Sequence, residues 1–187
     1  EEEVVVDSTV QEKNITFPTD TKLLTKIVTR CRIMAKLEDI KLRRSYQREI
    51  KKLLRTIRFK SKGRKQGEAQ RAVRRLRTIA GILIRDMRRK LSPEAFEIHR
   101  QSLDLYDRVQ RQKRSDTGKI YSLHEPGVSC ISKGKALKKY EFGAKASVTV
   151  TKTSGIIVGA LSFHDNPFDG HTLPAVLTQV ESIVGQR

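Results

Sequence analysis

Asp7 follows the run Val4-Val5-Val6, and a carboxylate delivered by a short β-branched strand is the residue in this chain most suited to holding a divalent cation. Valine runs favour strands buried in a sheet, and ligands and metals collect where the strands of α/β folds end. Asp7-Ser8-Thr9 is equally an ordinary exit from a strand into a turn, so both readings stand on the residues alone. A second acid, Asp169, lies in the polar loop from His164 to Gly170, where capping of the following helix accounts for it without chemistry. His164 and His171 are too few and too loosely placed for a zinc site and suit loop hydrogen bonds. Cys31 and Cys130 have no second pair at metal spacing, which argues against a disulfide scaffold or a zinc centre and fits a reducing cytosol.

Charge points to a second chemistry. The 187 residues are only 37% hydrophobic, lack Trp, and carry a net charge of +18 with a pI of about 10.3. A field of that sign draws polyanions, nucleic acid first among them. The excess belongs to one segment: from Arg30 to Arg114 there are 28 Lys/Arg against 9 Asp/Glu, a net of +19, so the remaining residues together carry −1. Lys41, Arg43, Arg44, Arg48, Lys51, Lys52 and Arg55 have few acids at i+4 to pair them, unlike an ordinary solvated helix face. These bases, with Lys62, Arg64, Lys65, Arg74, Arg75, Lys133, Lys135, Lys138 and Lys139, are the candidate DNA contacts. They would neutralise phosphates and position DNA without reading its sequence.

The elements that must position these residues follow from periodicity. Leu23, Leu24, Ile27, Val28 and Cys31, then Tyr46, Ile50, Leu53 and Ile57, recur at helical spacing and predict one helix, or two in line, from about Thr21 to Phe59. The glycines of Ser61 to Gly67 predict an exposed basic loop. A second helix carries Val73, Leu76, Ala80, Leu83 and Met87, and Ser92-Pro93-Glu94 starts a third, running to about Lys113. These helices should form an antiparallel hairpin or bundle. Beyond Asp116 the texture turns to strand. Lys145 to Thr151 alternates Ala146, Val148 and Val150 with Ser147, Thr149 and Thr151, as a half-buried strand does. Lys152 to Gly155 is a turn, Ile156 to Leu161 reads as a central strand apolar on both faces, and His171 to Val184 is a helix through Leu173, Val176, Leu177, Val180 and Val184.

No stretch reaches the roughly 20 apolar residues of a membrane span, and Glu1-Glu2-Glu3 has the wrong charge for a signal peptide. The expectation is a cytoplasmic protein, with both ends of the chain read as cut.

Six blocks in order along the chain resemble bacterial insertion-sequence transposases with a DDE catalytic domain: 4–15 (Val-Val-Val-Asp-Ser-Thr-Val-Gln-Glu-Lys-Asn-Ile), 17–20 (Phe-Pro-Thr-Asp), 119–124 (Lys-Ile-Tyr-Ser-Leu-His), 133–136 (Lys-Gly-Lys-Ala), 140–145 (Tyr-Glu-Phe-Gly-Ala-Lys) and 166–173 (Asn-Pro-Phe-Asp-Gly-His-Thr-Leu). The resemblance implies an α/β (α+β) chain: a partial RNase H-like core of strand, hairpin and covering helix, interrupted by a long basic all-helical insertion. The implied division is 1–19 for the first strand, 20–114 for the insertion, and 115–187 for the hairpin and covering helix. In that family two Asp and one Glu bind two Mg²⁺ (or Mn²⁺) ions and catalyse DNA cleavage and strand transfer, and Asp7 falls on the first of these Asp. The Asp-x-Gly-Tyr block of the second Asp and the helix bearing the Glu are not in this sequence. The family reading therefore gives a fragment that is inactive alone and does not hold the ions firmly, with Asp169 a weaker candidate ligand. Gly127, Ser129 and Lys139 also depart from residues common in the family. The alternative is a non-catalytic basic DNA-binding protein that modulates a full-length transposase. On either reading an incomplete sheet should seek self-association, or pairing with a full-length transposase.

Overall fold

The structure, a computed structural model, describes residues 3–60, 66–132 and 139–185, so Lys62, Arg64, Lys65, Lys133, Lys135 and Lys138 lie outside the described residues. Among these the chain is mixed α+β, with five helices and a four-stranded antiparallel sheet. It divides into two units, Phe17–Lys119 and the pair of segments Glu1–Thr16 and Ile120–Arg187, against the expected boundaries at 19/20 and 114/115.

The first unit is helical. Thr19 opens α1 (Asp20–Leu37) by accepting the Lys22 N–H on its hydroxyl at 3.2 Å, and Asp20 adds an acid to the first turn. Asp39 (φ 51°) and Tyr46 (φ 54°) are left-handed, a conformation that cannot continue a right-handed helix. The run from Thr21 to Phe59 is accordingly split into α1 and α2 (Gln47–Lys60), with 38–46 non-helical. α3 (Gln66–Lys90) is the hub, since α1, α2 and α4 (Pro93–Arg111) all pack on it. That is why its buried residues (Ala69, Ala72, Leu76, Ile79, Ala80, Leu83, Ile84 and Met87) spread beyond a single stripe. α4 begins as the sequence indicates: Ser92 Oγ accepts the Ala95 N–H, Pro93 is the first helical residue, and hydrogen bonds from the Glu94 backbone and Ser92 hold the Glu94 carboxyl below the usual range. The Arg77 guanidinium ties three helices together by donating to the carbonyls of Gln110 and Gln112 and to Asp20 Oδ2.

The second unit is a sheet with one covering helix. β3 (Tyr140–Thr151) is its central strand. β1 (Val4–Glu12) pairs with β3 along Gly143–Thr151, while β2 (Ser129–Ser132) and β4 (Ile157–Phe163) pair with the stretches Tyr140–Gly143 and Lys145–Val150. The turn from β3 to β4 closes on Gly155 (φ 68°), whose N–H bonds the Thr151 carbonyl. α5 (Asp169–Val184) covers one face, burying Thr172, Val176 and Val180.

The strands depart from expectation in two respects. β1 does not stop at Asp7 but continues to Glu12, because Thr9 and Val10 extend the β-branched pattern and pair with Ala146 and Lys145. β4 is an edge strand rather than a central one. Its apolar run includes Gly159 and Ala160, which bring little side chain, and Ile157 is 65% exposed. Its outer edge is closed by Gln179, whose amide accepts the Ala160 N–H and donates to the Ala160 carbonyl, both at 3.0 Å. A Cβ at Gly159 would lie 3.0 Å from Val180 Cγ2, so the glycine lets α5 approach this closely. β3 alternates as anticipated, and the face that becomes buried is the polar one: Glu141, Lys145, Ser147, Thr149 and Thr151 are buried, while Phe142, Ala144, Ala146, Val148 and Val150 remain half-buried.

Candidate nucleic-acid interface

α2 separates its two chemistries cleanly around the helix axis. At about 100° per residue, Ile50, Leu53, Leu54 and Ile57 gather on one side, and Arg48, Lys52, Arg55 and Phe59 fall within about 60° of one another on the opposite side. Ile50 is buried and Leu53, Leu54 and Ile57 are half-buried, whereas Arg48, Lys51, Lys52 and Arg55 are all exposed. None of these four takes an ion pair among the described residues. A row of unpaired cations on one helix is a surface that phosphates can occupy without displacing an internal partner.

The acids nearby are directed elsewhere. Glu49 Oε1 accepts from Arg75 Nε at 2.7 Å and so joins α2 to α3, and that hydrogen bond holds the Glu49 carboxyl below its ordinary range while raising Arg75. Glu68 pairs with Lys60. Of the predicted contacts, Arg75 therefore has a structural partner. Arg74 on α3 is exposed and takes no ion pair among the described residues. Arg43 and Arg44 are exposed in the segment before α2, with the Arg44 guanidinium 5.3 Å from the Tyr46 ring centroid. Lys139 belongs to the sheet unit, where its Nζ lies 5.6 Å from the Tyr140 ring centroid.

Two residues of this face escaped the sequence reading. Phe59 is 74% exposed, and the Arg58 guanidinium stands 5.7 Å from its ring centroid. The signal was present in the helical spacing, because Phe59 continues the row from Arg48 through Lys52 and Arg55, where an apolar residue has no core to enter.

In the sheet unit, Asp7 sits in the middle of β1, opposite Val148, and is exposed. Asp7 and Asp169 line the same shallow cleft of about 320 Å³, together with Val6, Ser8, Ser147, Gly170, Thr172 and Leu173. Their roles differ, however. Asp169 Oδ1 lies 2.5 Å from the Nζ of Lys145, whose side chain is only 10% exposed and also donates to the Pro167 carbonyl at 2.6 Å. Asp169 is the counter-ion of a buried lysine. It is not the side-chain cap of α5 that the sequence suggested, since the capping position is Phe168 and carries no side-chain hydrogen bond. Ser147 Oγ and Thr149 Oγ1 are buried under α5 without a hydrogen-bond partner.

The cleft can be tested against the two-ion site that the family resemblance implies. Magnesium favours near-octahedral oxygen coordination, and a pair of ions needs several carboxylates. Among the described residues no three His, Cys, Asp or Glu side chains gather, and one of the two acids here is already neutralised by Lys145. These residues alone do not fit a two-ion site. His164 is exposed at a groove of about 440 Å³ with Gln11, Lys13 and Glu125, and His171 packs edge-on to Phe168 at 5.8 Å.

Among the described residues no helix is long and apolar enough to cross a membrane. No protein-family model, curated protein or solved structure matches this chain.

Proposed function

We propose that this chain is the DNA-holding part of a DDE-type transposase, with the helical unit supplying a sequence-independent grip on phosphates and the chain alone carrying out no strand cleavage. The observation that carries the proposal is the unpaired row Arg48, Lys51, Lys52 and Arg55 on the exposed side of α2, in a segment whose net charge is +19. The transposase part of the reading is supported by the ordered sequence blocks, and by the succession of an Asp-bearing strand, a helical insertion, an antiparallel hairpin and a helix that covers the sheet. The expectation of no cleavage is supported by the chemistry of the cleft, where Asp7 has Asp169 as an acidic neighbour and Lys145 already holds Asp169. The same ion pair favours the alternative that the chain acts purely by binding, as a modulator of a full-length transposase.

The test is incubation with supercoiled plasmid carrying element ends in Mg²⁺ or Mn²⁺, alongside a gel-shift titration of the same DNA. The expected result is retarded DNA with no nicked or linear product. Cleavage that disappears in Asp7→Ala would overturn the inactive reading, and failure to retard any DNA at low salt would overturn the grip itself.

A further inference from the structure

We infer that Phe59 is a base-stacking residue, so that the basic face of α2 engages nucleic acid with an unpaired base in preference to a continuous duplex; this rests on the nucleic-acid reading above. Phe59 stands about 180° around α2 from Ile57 and Ile50, at the end of the row Arg48, Lys52 and Arg55. From Arg48 to Phe59 that row runs about 17 Å along the axis. The ring is 74% exposed, so it is the one large apolar group on a face otherwise made of cations. Leu37 and Ile98 are as exposed on other helices of the unit, but they are aliphatic and offer no ring.

The chemistry of the face selects its occupant. The cations complement a phosphate backbone, and an aromatic ring in line with them complements the π-face of a base. A continuous duplex presents phosphates outward and keeps its base faces stacked inside, so it could use the cations but not the ring. A single strand, or a duplex with a displaced base, can use both, which is the general design of sequence-tolerant single-strand binding. The Arg58 guanidinium lies over the ring, 5.7 Å from its centroid, so a base stacks on the ring face turned away from it and the pair forms one cationic, planar platform.

The experiment measures binding of the full chain to a fluorescein-labelled 20-nucleotide single strand and to the duplex of the same sequence, by anisotropy. Phe59→Ala is expected to weaken single-strand binding about five-fold or more, since stacking is worth that much per base, and to change duplex binding less than two-fold. Its salt dependence should stay that of the native chain, because no charge is lost. Phe59→Leu should behave as Phe59→Ala. Phe59→Trp should retain binding, and as the chain has no other Trp, its indole emission should be quenched by the single strand. Because the side chain is at the surface, all three variants should keep the native circular dichroism melt. The inference is overturned if Phe59→Ala binds single strand within two-fold of native, if it weakens duplex and single strand equally, or if Phe59→Leu binds like native. If the native chain binds neither nucleic acid, the DNA reading falls and this inference goes with it, an outcome distinct from loss of the single-strand preference alone.

Discussion

Removing the Asp169 carboxylate should loosen the sheet unit rather than only alter its surface. Among the described residues Lys145 Nζ has two partners, Asp169 Oδ1 at 2.5 Å and the Pro167 carbonyl at 2.6 Å, and its side chain is 10% exposed. Asp169 itself is 63% exposed. Exposed pairs contribute about 0–1 kcal/mol, and stranding a fully buried charge costs about 3–5 kcal/mol. With one partner buried, the other wet and one carbonyl retained, Asp169→Ala should cost about 1–2 kcal/mol. That corresponds to a roughly 5- to 30-fold loss of protection from hydrogen exchange at the amides of β3 and β4, if they exchange by opening of the sheet. Asp169→Asn keeps an acceptor and should cost less, and Lys145→Met, which removes the buried charge, should cost no more than Asp169→Ala. Exchange rates for the helical unit serve as the internal control. Unchanged protection in Asp169→Ala, combined with weakened Mn²⁺ binding, would refute the counter-ion assignment and return Asp169 to the role of a metal ligand.

Thr149→Val should stabilise the sheet unit by about 1 kcal/mol in urea titration, because it replaces a buried hydroxyl without a partner by a methyl of the same shape; destabilisation would mean that the hydroxyl is satisfied in solution. Gly143→Ala should cost about 3 kcal/mol, the upper end for overpacking, because its Cβ would come within 2.0 Å of the Gln11 carbonyl oxygen where β1 meets β3. Exchange protection in β1 is the readout, and native-like protection would contradict the close strand approach. Burial pushes the Cys31 thiol up to about 12, so a thiol reagent at neutral pH should modify half-buried Cys130 first and reach Cys31 only at the rate at which the helical unit opens; rapid labelling of both would contradict the packing of α1 on α3.

Sequence periodicity revealed what depends on local pattern. Leu23 to Cys31 and Leu76 to Met87 marked helices because burial of one face imposes a 3.6-residue recurrence, and Ser92-Pro93-Glu94 marked a helix start because capping is local chemistry. The alternation from Ala146 to Thr151 marked a strand and told which residues share a face, but it carried no information on which face α5 would cover. Tertiary packing buried Ser147 and Thr149 against the polarity rule. Cross-chain partners were equally out of reach: the pairing of Asp169 with Lys145 and of Glu49 with Arg75 joins residues 24 and 26 positions apart in sequence. β2 was missed because four residues from Ser129 to Ser132 are too few to show a period. Asp7 was expected at a strand end because the apolar run stops there, yet backbone pairing with β3 carries the strand five residues further.

The exposed cations of α2 are the groups proposed to hold phosphates. The most direct measurement is the affinity for a fluorescein-labelled duplex across a series of NaCl concentrations, comparing the native chain with a variant in which Arg48, Lys51, Lys52 and Arg55 are all changed to Gln. The logarithm of the association constant should fall linearly with the logarithm of salt, and the slope of the variant should be shallower by about 0.9 for each phosphate contact removed, or up to about 3.6 in all. A variant with the native slope and the native affinity would contradict phosphate binding by α2, placing the charge that binds nucleic acid somewhere other than this helix face.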